Sequence, residues 1–217
     1  MSSLRAIVVR VALAFVCVLA VGTGLGSAAV HGMPHIDTAV TRDLSRMSRA
    51  HHAVEMTMKA VTLLGSTAWL FPVVAAVALV LAARGARGRA AWLVVAVGLG
   101  VLVSTVLKHV VGRHRPPFAL VRTTGASFPS GHAMAATVTY GALVLVLAGS
   151  SRPRTRAVMV TCAGAVVAAV AFTRLALGVH YPTDVLGGML LGALWLALIS
   201  FAVPARGRVR PRHASGA

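Results

Sequence analysis

Acidic residues are nearly missing from this chain of 217 residues: Asp37, Asp43, Glu55 and Asp184 are the whole set, against 21 lysines and arginines. Charged residues of both signs together reach 12%, about half of what a soluble domain usually carries. That shortage excludes an ordinary water-facing surface. Four scattered acids also provide no carboxylate cluster to hold Mg²⁺ or Zn²⁺, so no metal and no cofactor are expected. Cysteine is scarce too. Cys17 and Cys162 each stand inside an apolar run, where a buried small hydrophobe is a better reading than a disulfide or a metal ligand.

What the chain does have is hydrophobic sequence in blocks. Apolar residues make up 58%, and the mean hydropathy is +0.84. Six blocks, roughly 6–30, 61–83, 90–111, 132–149, 157–177 and 184–203, are each near the ~20 residues a membrane-spanning helix needs. Lipid offers no partner to backbone polar groups, so helices are the natural form. The expected fold is all-α: an integral membrane bundle of six transmembrane helices, forming one domain over residues 1–203. The first block also has marks of a signal peptide (Arg5, Arg10, and small residues at Ser27-Ala28-Ala29), though its apolar run is long for one.

The net charge of +17 reflects missing acids as much as added bases. Arginines cluster in short runs between apolar blocks: Arg84, Arg87 and Arg89, then Arg152, Arg154 and Arg156, then Arg206, Arg208, Arg210 and Arg212. In a six-span chain these runs and the N-terminus fall on one side, which the positive-inside rule makes cytoplasmic. The basic tail 204–217 then meets anionic lipid. No nucleic-acid motif or aromatic-basic interleaving occurs, so no nucleic-acid partner is expected. A composition rich in Ala, Val and Arg and poor in Lys points to a high-GC bacterial genome, and so to a bacterial plasma membrane.

Residues 31–60 connect the first two blocks outside the cytoplasm. Within them Val40, Leu44, Met47, Val54 and Met58 share a helical stripe, with Arg42, Arg46 and Arg49 elsewhere. This fits an amphipathic helix on the membrane surface, or an extension of the second span. His51 and His52 read as solvated surface residues.

The opposite face receives "LKHVVGRHRPPF", "SFPSGH" and "FTRLALGVHYPTD", whose bases orient nothing. Lys108 and Arg115 are seven residues apart and share a face if the helix persists between them; a snorkelling Lys and a loop Arg are the plain alternative. Ser130 suits a helix N-cap. Gly131 lets backbone N–H groups approach an anion, and His132 stands at the rim able to donate a proton; a capped helix start with an interfacial His is the plain alternative. His180 and Asp184 are four residues apart, close enough on a helical start for the carboxylate to fix the ring tautomer, or to form a simple structural cap. With Arg174 added, one membrane face gathers three bases, an anion site, a free His and a His–Asp pair. That set suits a phosphate gripped by cations, attacked on one side and protonated on the other.

Lys108-x6-Arg115-Pro116, Pro129-Ser130-Gly131-His132 and Arg174-x5-His180-x3-Asp184 resemble, in order, the three motifs of the type 2 phosphatidic acid phosphatase superfamily, which includes lipid phosphate phosphatases and vanadium haloperoxidases. The resemblance implies that Lys108, Arg115 and Arg174 grip the phosphate, with help from Ser130 and the Gly131 N–H. It implies that His180, polarised by Asp184, attacks phosphorus to form a phosphohistidine. His132 then protonates the leaving oxygen and helps activate water. Thr173 departs from the family's usual Ser. The resulting expectation is a metal-free membrane phosphatase with its site on the extracytoplasmic face. Its expected partners are the bilayer and a lipid phosphate: a polyprenyl (pyro)phosphate first, or phosphatidic acid or phosphatidylglycerophosphate. A haloperoxidase and a non-catalytic scaffold or transporter are the alternatives of a different class.

Overall fold

The computed structural model describes residues 2–32, 34–149 and 151–203. The basic tail expected at 204–217 lies outside the described residues. Among those described the regular structure is helical: α1 (Ser2–His31), α2 (Pro34–Ala50), α3 (His52–Thr62), α4 (Thr67–Ala83), α5 (Arg87–Val111), α6 (Gly131–Leu147), α7 (Pro153–Ala176) and α8 (Pro182–Ala202). A 3-10 turn, Leu63–Gly65, joins α3 to α4.

Four helices, α1, α5, α7 and α8, are long and apolar enough to cross a membrane. The apolar block read at 61–83 is broken instead. Ser66 accepts from the Trp69 N–H at 3.3 Å and donates to Leu63 O, so it ends one helix and caps the next, and α3 and α4 meet at a 42° bend. The bent pair counts as at most one further span, and α6 is apolar but only 17 residues long. The chain is an all-helical membrane protein, with its spans less uniform than the hydropathy blocks suggest.

The helices pack around α6 and α8. α8 lies against α1 and α6, while α6 also meets α5 and α7. Trp195 of α8 is fully buried, donates its indole N–H to Ala96 O at 2.8 Å, and meets Phe15 edge-on. Near the start of α6 the two backbones come unusually close. A Cβ on Gly188 would lie 2.7 Å from Ser130 O, so only glycine lets α8 support that helix start. At the other end Arg89 of α5 donates to Val146 O of α6 at 3.1 Å.

α2 packs with its polar side inward. Asp37, Thr41, Ser45 and Ser48 are buried, while Ile36 and, from the apolar stripe, Val40 and Met47 are exposed. His51 interrupts the stripe before α3, so the connection is two helices rather than one. An apolar face turned away from the protein suits a helix seated at a lipid surface.

Candidate active site

The ends of α5, α6, α7 and α8 away from the arginine-rich turns enclose a cleft of about 620 Å³. Lys59, Thr62, Lys108, Arg115, Arg122, Gly131, His132, Arg174 and His180 line it. Five of these are Lys or Arg, and none is a carboxylate.

Lys108, Arg115 and Arg174 each have a defined support. Lys108 and Arg174 stand in the last turns of α5 and α7, where helix dipoles favour positive charge. The Lys108 ammonium donates to Ala126 O at 2.9 Å, and Arg174 Nη1 donates to Thr62 Oγ1 at 2.6 Å. α5 stops at Val111, so Lys108 and Arg115 do not share a helical face as the spacing suggested. They line one cleft because the connection after Gly112 folds back. Arg115 is fixed there by donating to Gly125 O and Val179 O, both at 2.9 Å, and to Thr124 O at 3.2 Å. Burial lowers its pKa from the ordinary arginine value, with the Asp184 charge opposing.

Ser130 occupies the N-cap of α6, but its hydroxyl makes no cap bond. The first helical bond of α6 runs from Met134 N–H to Ser130 O, leaving the N–H groups of Gly131 and His132 at the positive end of the helix. The buried side-chain atoms without a hydrogen-bond partner include Ser130 Oγ, Arg174 Nε and His180 Nδ1. Two of these, Ser130 Oγ beside Gly131 and Arg174 Nε, stand at the cation-lined cleft and fit a ligand rich in acceptor oxygens. Thr173, in contrast, turns its hydroxyl away and donates to Val170 O at 2.6 Å, so the replacement of Ser leaves the cleft untouched.

His180 precedes α8 in a turn rather than lying on a helical start. The turn depends on Gly178, whose φ of +67° and close approach to Phe118 O tolerate no side chain. His180 Nδ1 lies 3.5 Å from Asp184 Oδ2, longer than a good hydrogen bond, and Nε2 faces Arg115 Nη1 at 3.3 Å. With the proton on Nδ1, the Nε2 lone pair is directed into the cleft. Burial pushes the His180 pKa down to about 3 despite the opposing Asp184 carboxylate, so the imidazole stays neutral at working pH.

Asp184 is fully buried and multiply bonded. It accepts from Ser127 Oγ and from the Tyr181 N–H at 2.9 Å, and Oδ1 pairs with Arg113 Nη1 at 2.5 Å. Arg113 Nη1 also donates to Thr183 Oγ1 at 2.8 Å, and Nη2 pairs with Asp37 Oδ2 of α2 at 2.7 Å. The Tyr181 ring lies under the guanidinium, its centroid 4.4 Å away. Burial works against the Arg113 charge, but the bonds to Asp37 and Asp184 outweigh it and hold the pKa above the ordinary arginine value. Interrupting such a pair from one side leaves a buried charge uncompensated, at about 3–5 kcal/mol. Sequence reasoning did not single out Asp37, Arg113, Ser127 or Thr62. The available signals were the rarity of acids and an unexplained arginine on the face where positive-inside arguments count against it.

The PAP2 superfamily model matches residues 89–208, more than half of the chain. Phosphatidylglycerophosphatase B of Bacillus subtilis is 33% identical over 149 residues, covering 65% of this chain and 71% of the relative. Decaprenylphosphoryl-5-phosphoribose phosphatase of Mycobacterium tuberculosis is 33% identical over 145 residues, covering 62% and 76%. The crystal structure of a transmembrane PAP2-type phosphatidylglycerolphosphate phosphatase from Bacillus subtilis superposes with a TM-score of 0.74 at 28% identity, over 93% of this chain and 98% of that one. The chain belongs to the PAP2 superfamily and is a membrane phosphatase.

Proposed function

We propose that the cleft removes a terminal phosphate from a membrane lipid through a phosphohistidine, without a metal. The observation that carries this reading is a cleft with five cations and no carboxylate, facing the Nε2 of a buried neutral histidine. Lys108, Arg115 and Arg174 grip the non-bridging oxygens, with Ser130 Oγ and the Gly131 N–H adding hydrogen bonds. The His180 Nε2 lone pair attacks phosphorus as the bond to the leaving oxygen breaks, and protonated His132 gives that oxygen its proton. Water then attacks phosphorus, losing a proton to His132, and the N–P bond breaks to release inorganic phosphate. Arg113 occupies both nearby carboxylates, Asp37 and Asp184, which leaves the cations to carry the charge stabilisation.

The same reading makes α1, the bent α3–α4 pair, α5, α6, α7 and α8 six crossings of one membrane domain. The arginine-rich turns are cytoplasmic and the cleft faces outward, in a bacterial plasma membrane.

The favoured substrate is a polyprenyl (pyro)phosphate, and phosphatidylglycerophosphate is the second reading. The decaprenyl relative supports the first and the structural neighbour the second. Polyprenyl diphosphates and phosphatidylglycerophosphate, like the substrates in those relatives' names, carry a second phosphoryl group beside the one removed; a polyprenyl monophosphate does not. The outer part of the cleft has cations for it: exposed Arg122, and half-buried Lys59, held by Glu55 at 2.5 Å. The double variant Lys59→Ala/Arg122→Ala is expected to raise KM about 10-fold for diphosphate or bisphosphate lipids while changing phosphatidic acid less than about 2-fold; equal effects on both classes would remove the second-phosphate assignment. The panel that tests the function measures phosphate release with EDTA present from decaprenyl diphosphate, decaprenyl phosphate, phosphatidylglycerophosphate and phosphatidic acid. Turnover of at least one of these that resists EDTA is the expected result; activity abolished by EDTA contradicts the mechanism.

A further inference from the structure

We infer that Asp37 and Arg113 are positioning residues of the reaction, so that α2, outside the three motif segments, belongs to the catalytic apparatus. The two residues lie 76 positions apart in sequence and meet in a buried ion pair. Arg113 has one guanidinium nitrogen on each of two carboxylates, Asp37 and Asp184, in a fork that fixes the rotation of both. Asp184 has one carboxylate oxygen on Arg113 and the other toward His180 Nδ1, so the plane set by Arg113 is the plane offered to the imidazole. α2 supports the same turn at three further points. Asp37 accepts from the Thr183 N–H at 3.1 Å and from the Thr183 hydroxyl, Thr41 Oγ1 donates to His180 O at 3.3 Å, and Ser45 packs near Gly178.

Charge balance gives the pair its second effect. The ionisable groups facing His180 are Lys108 of α5, Arg115 beside it, His132 of α6 and Asp184 of α8; Arg174 of α7 lines the same cleft. Asp184 is the single carboxylate among them. Asp37 takes up part of the Arg113 charge, so Asp184 is not drawn wholly to Arg113 and keeps an oxygen for the Nδ1 proton. A carboxylate on that side, 3.5 Å from Nδ1, favours the tautomer with the proton on Nδ1 and the lone pair on Nε2. The inference rests on His180 being the attacking group.

Two variants separate positioning from mere support. Arg113→Lys keeps the charge, but a single ammonium cannot reproduce the fork. Asp37→Asn keeps the shape and leaves Arg113 on Asp184 alone. Both full-length proteins, purified in detergent and checked by thermal unfolding, are assayed with the lipid of the panel that turns over fastest. Ring-15N-histidine NMR then reads the His180 tautomer, its signals assigned by their loss in His180→Gln. The expected result is a kcat lowered about 10-fold or more with KM within about 2-fold, and His180 signals displaced from the Nδ1–H form toward a mixture. Folded variants with unchanged kcat, a loss confined to KM, or unchanged His180 signals overturn the inference. So does a failure of both variants to fold, which would make the pair structural only. Full activity of His180→Gln would sink the nucleophile assignment instead, whatever the tautomer data show.

Discussion

His180→Gln is expected to lower phosphate release on the order of 10⁴-fold or more, as loss of a covalent nucleophile does elsewhere. Substrate binding should survive, because Lys108 and Arg174 are held by a carbonyl and by Thr62, and Arg115 keeps three carbonyl acceptors besides the imidazole. Binding of a lipid phosphate to the inactive variant, followed by titration calorimetry, checks that separation. The pH dependence has a definite sign. The His180 pKa is depressed, so the reactive neutral imidazole persists as pH falls, and protonation of His180 begins to remove it only near its folded value of about 3. Any loss of activity between about pH 5 and 7 is therefore not the titration of His180, and the second ionisation of the substrate phosphate falls in that range. Residual turnover by His180→Gln within about 10-fold of the parent protein would mean that another group, or water itself, attacks phosphorus.

The second large effect is expected at His132, at the mouth of α6. Removing a positioned general acid typically costs about 10²–10⁴-fold. The loss should depend on the leaving group. An alkyl or polyprenyl oxygen leaves poorly without a proton, whereas p-nitrophenolate needs none. His132→Gln should therefore be far more impaired on lipid phosphates than in the first half-reaction with p-nitrophenyl phosphate. With His132 also taking the proton from water in the proposed second half-reaction, the variant should give a burst of p-nitrophenol followed by slow turnover. A loss that is equal for both substrates, with no burst, would assign His132 to binding.

Much of the site was legible because its chemistry is local in sequence. The Lys108–Arg115, Ser130–His132 and Arg174–Asp184 segments each bring their groups within a few residues, and helix ends place them on one cleft. The long apolar runs made the helical membrane class equally plain. What escaped sequence reading depended on the third dimension. Asp37 and Arg113 meet across 76 residues, and no periodicity announces a partner at that distance. The inward side of α2 was hidden because hydropathy marks Val40, Leu44 and Met47 as the face to pack. In lipid that face can point outward while Asp37, Thr41, Ser45 and Ser48 pack against protein. The break at Ser66 was masked by apolar residues on both sides, although a Gly-Ser-Thr sequence before an apolar run is a helix-start signal. The distance from His180 to Arg115 was not readable either, since α5 ends before Arg115 and the intervening connection returns it to the cleft.

The cleft differs from metal-dependent phosphatase sites in the location of its negative charge. Asp184 and Asp37 lie behind His180 and are both paired with Arg113, so the surface lining the cleft is positive or neutral. A phosphoryl group entering it gains charge-assisted hydrogen bonds without displacing an ion. The proposed covalent intermediate is directly observable, because an N–P bond is labile in acid and stable in base. The most direct test is an alkaline quench of the enzyme during turnover of a lipid carrying radiolabelled phosphate, followed by peptide mapping. The account predicts label on His180 that is lost in acid and absent from His180→Gln. Steady turnover with no label on the protein at any quench time, or with label on another residue, would contradict it.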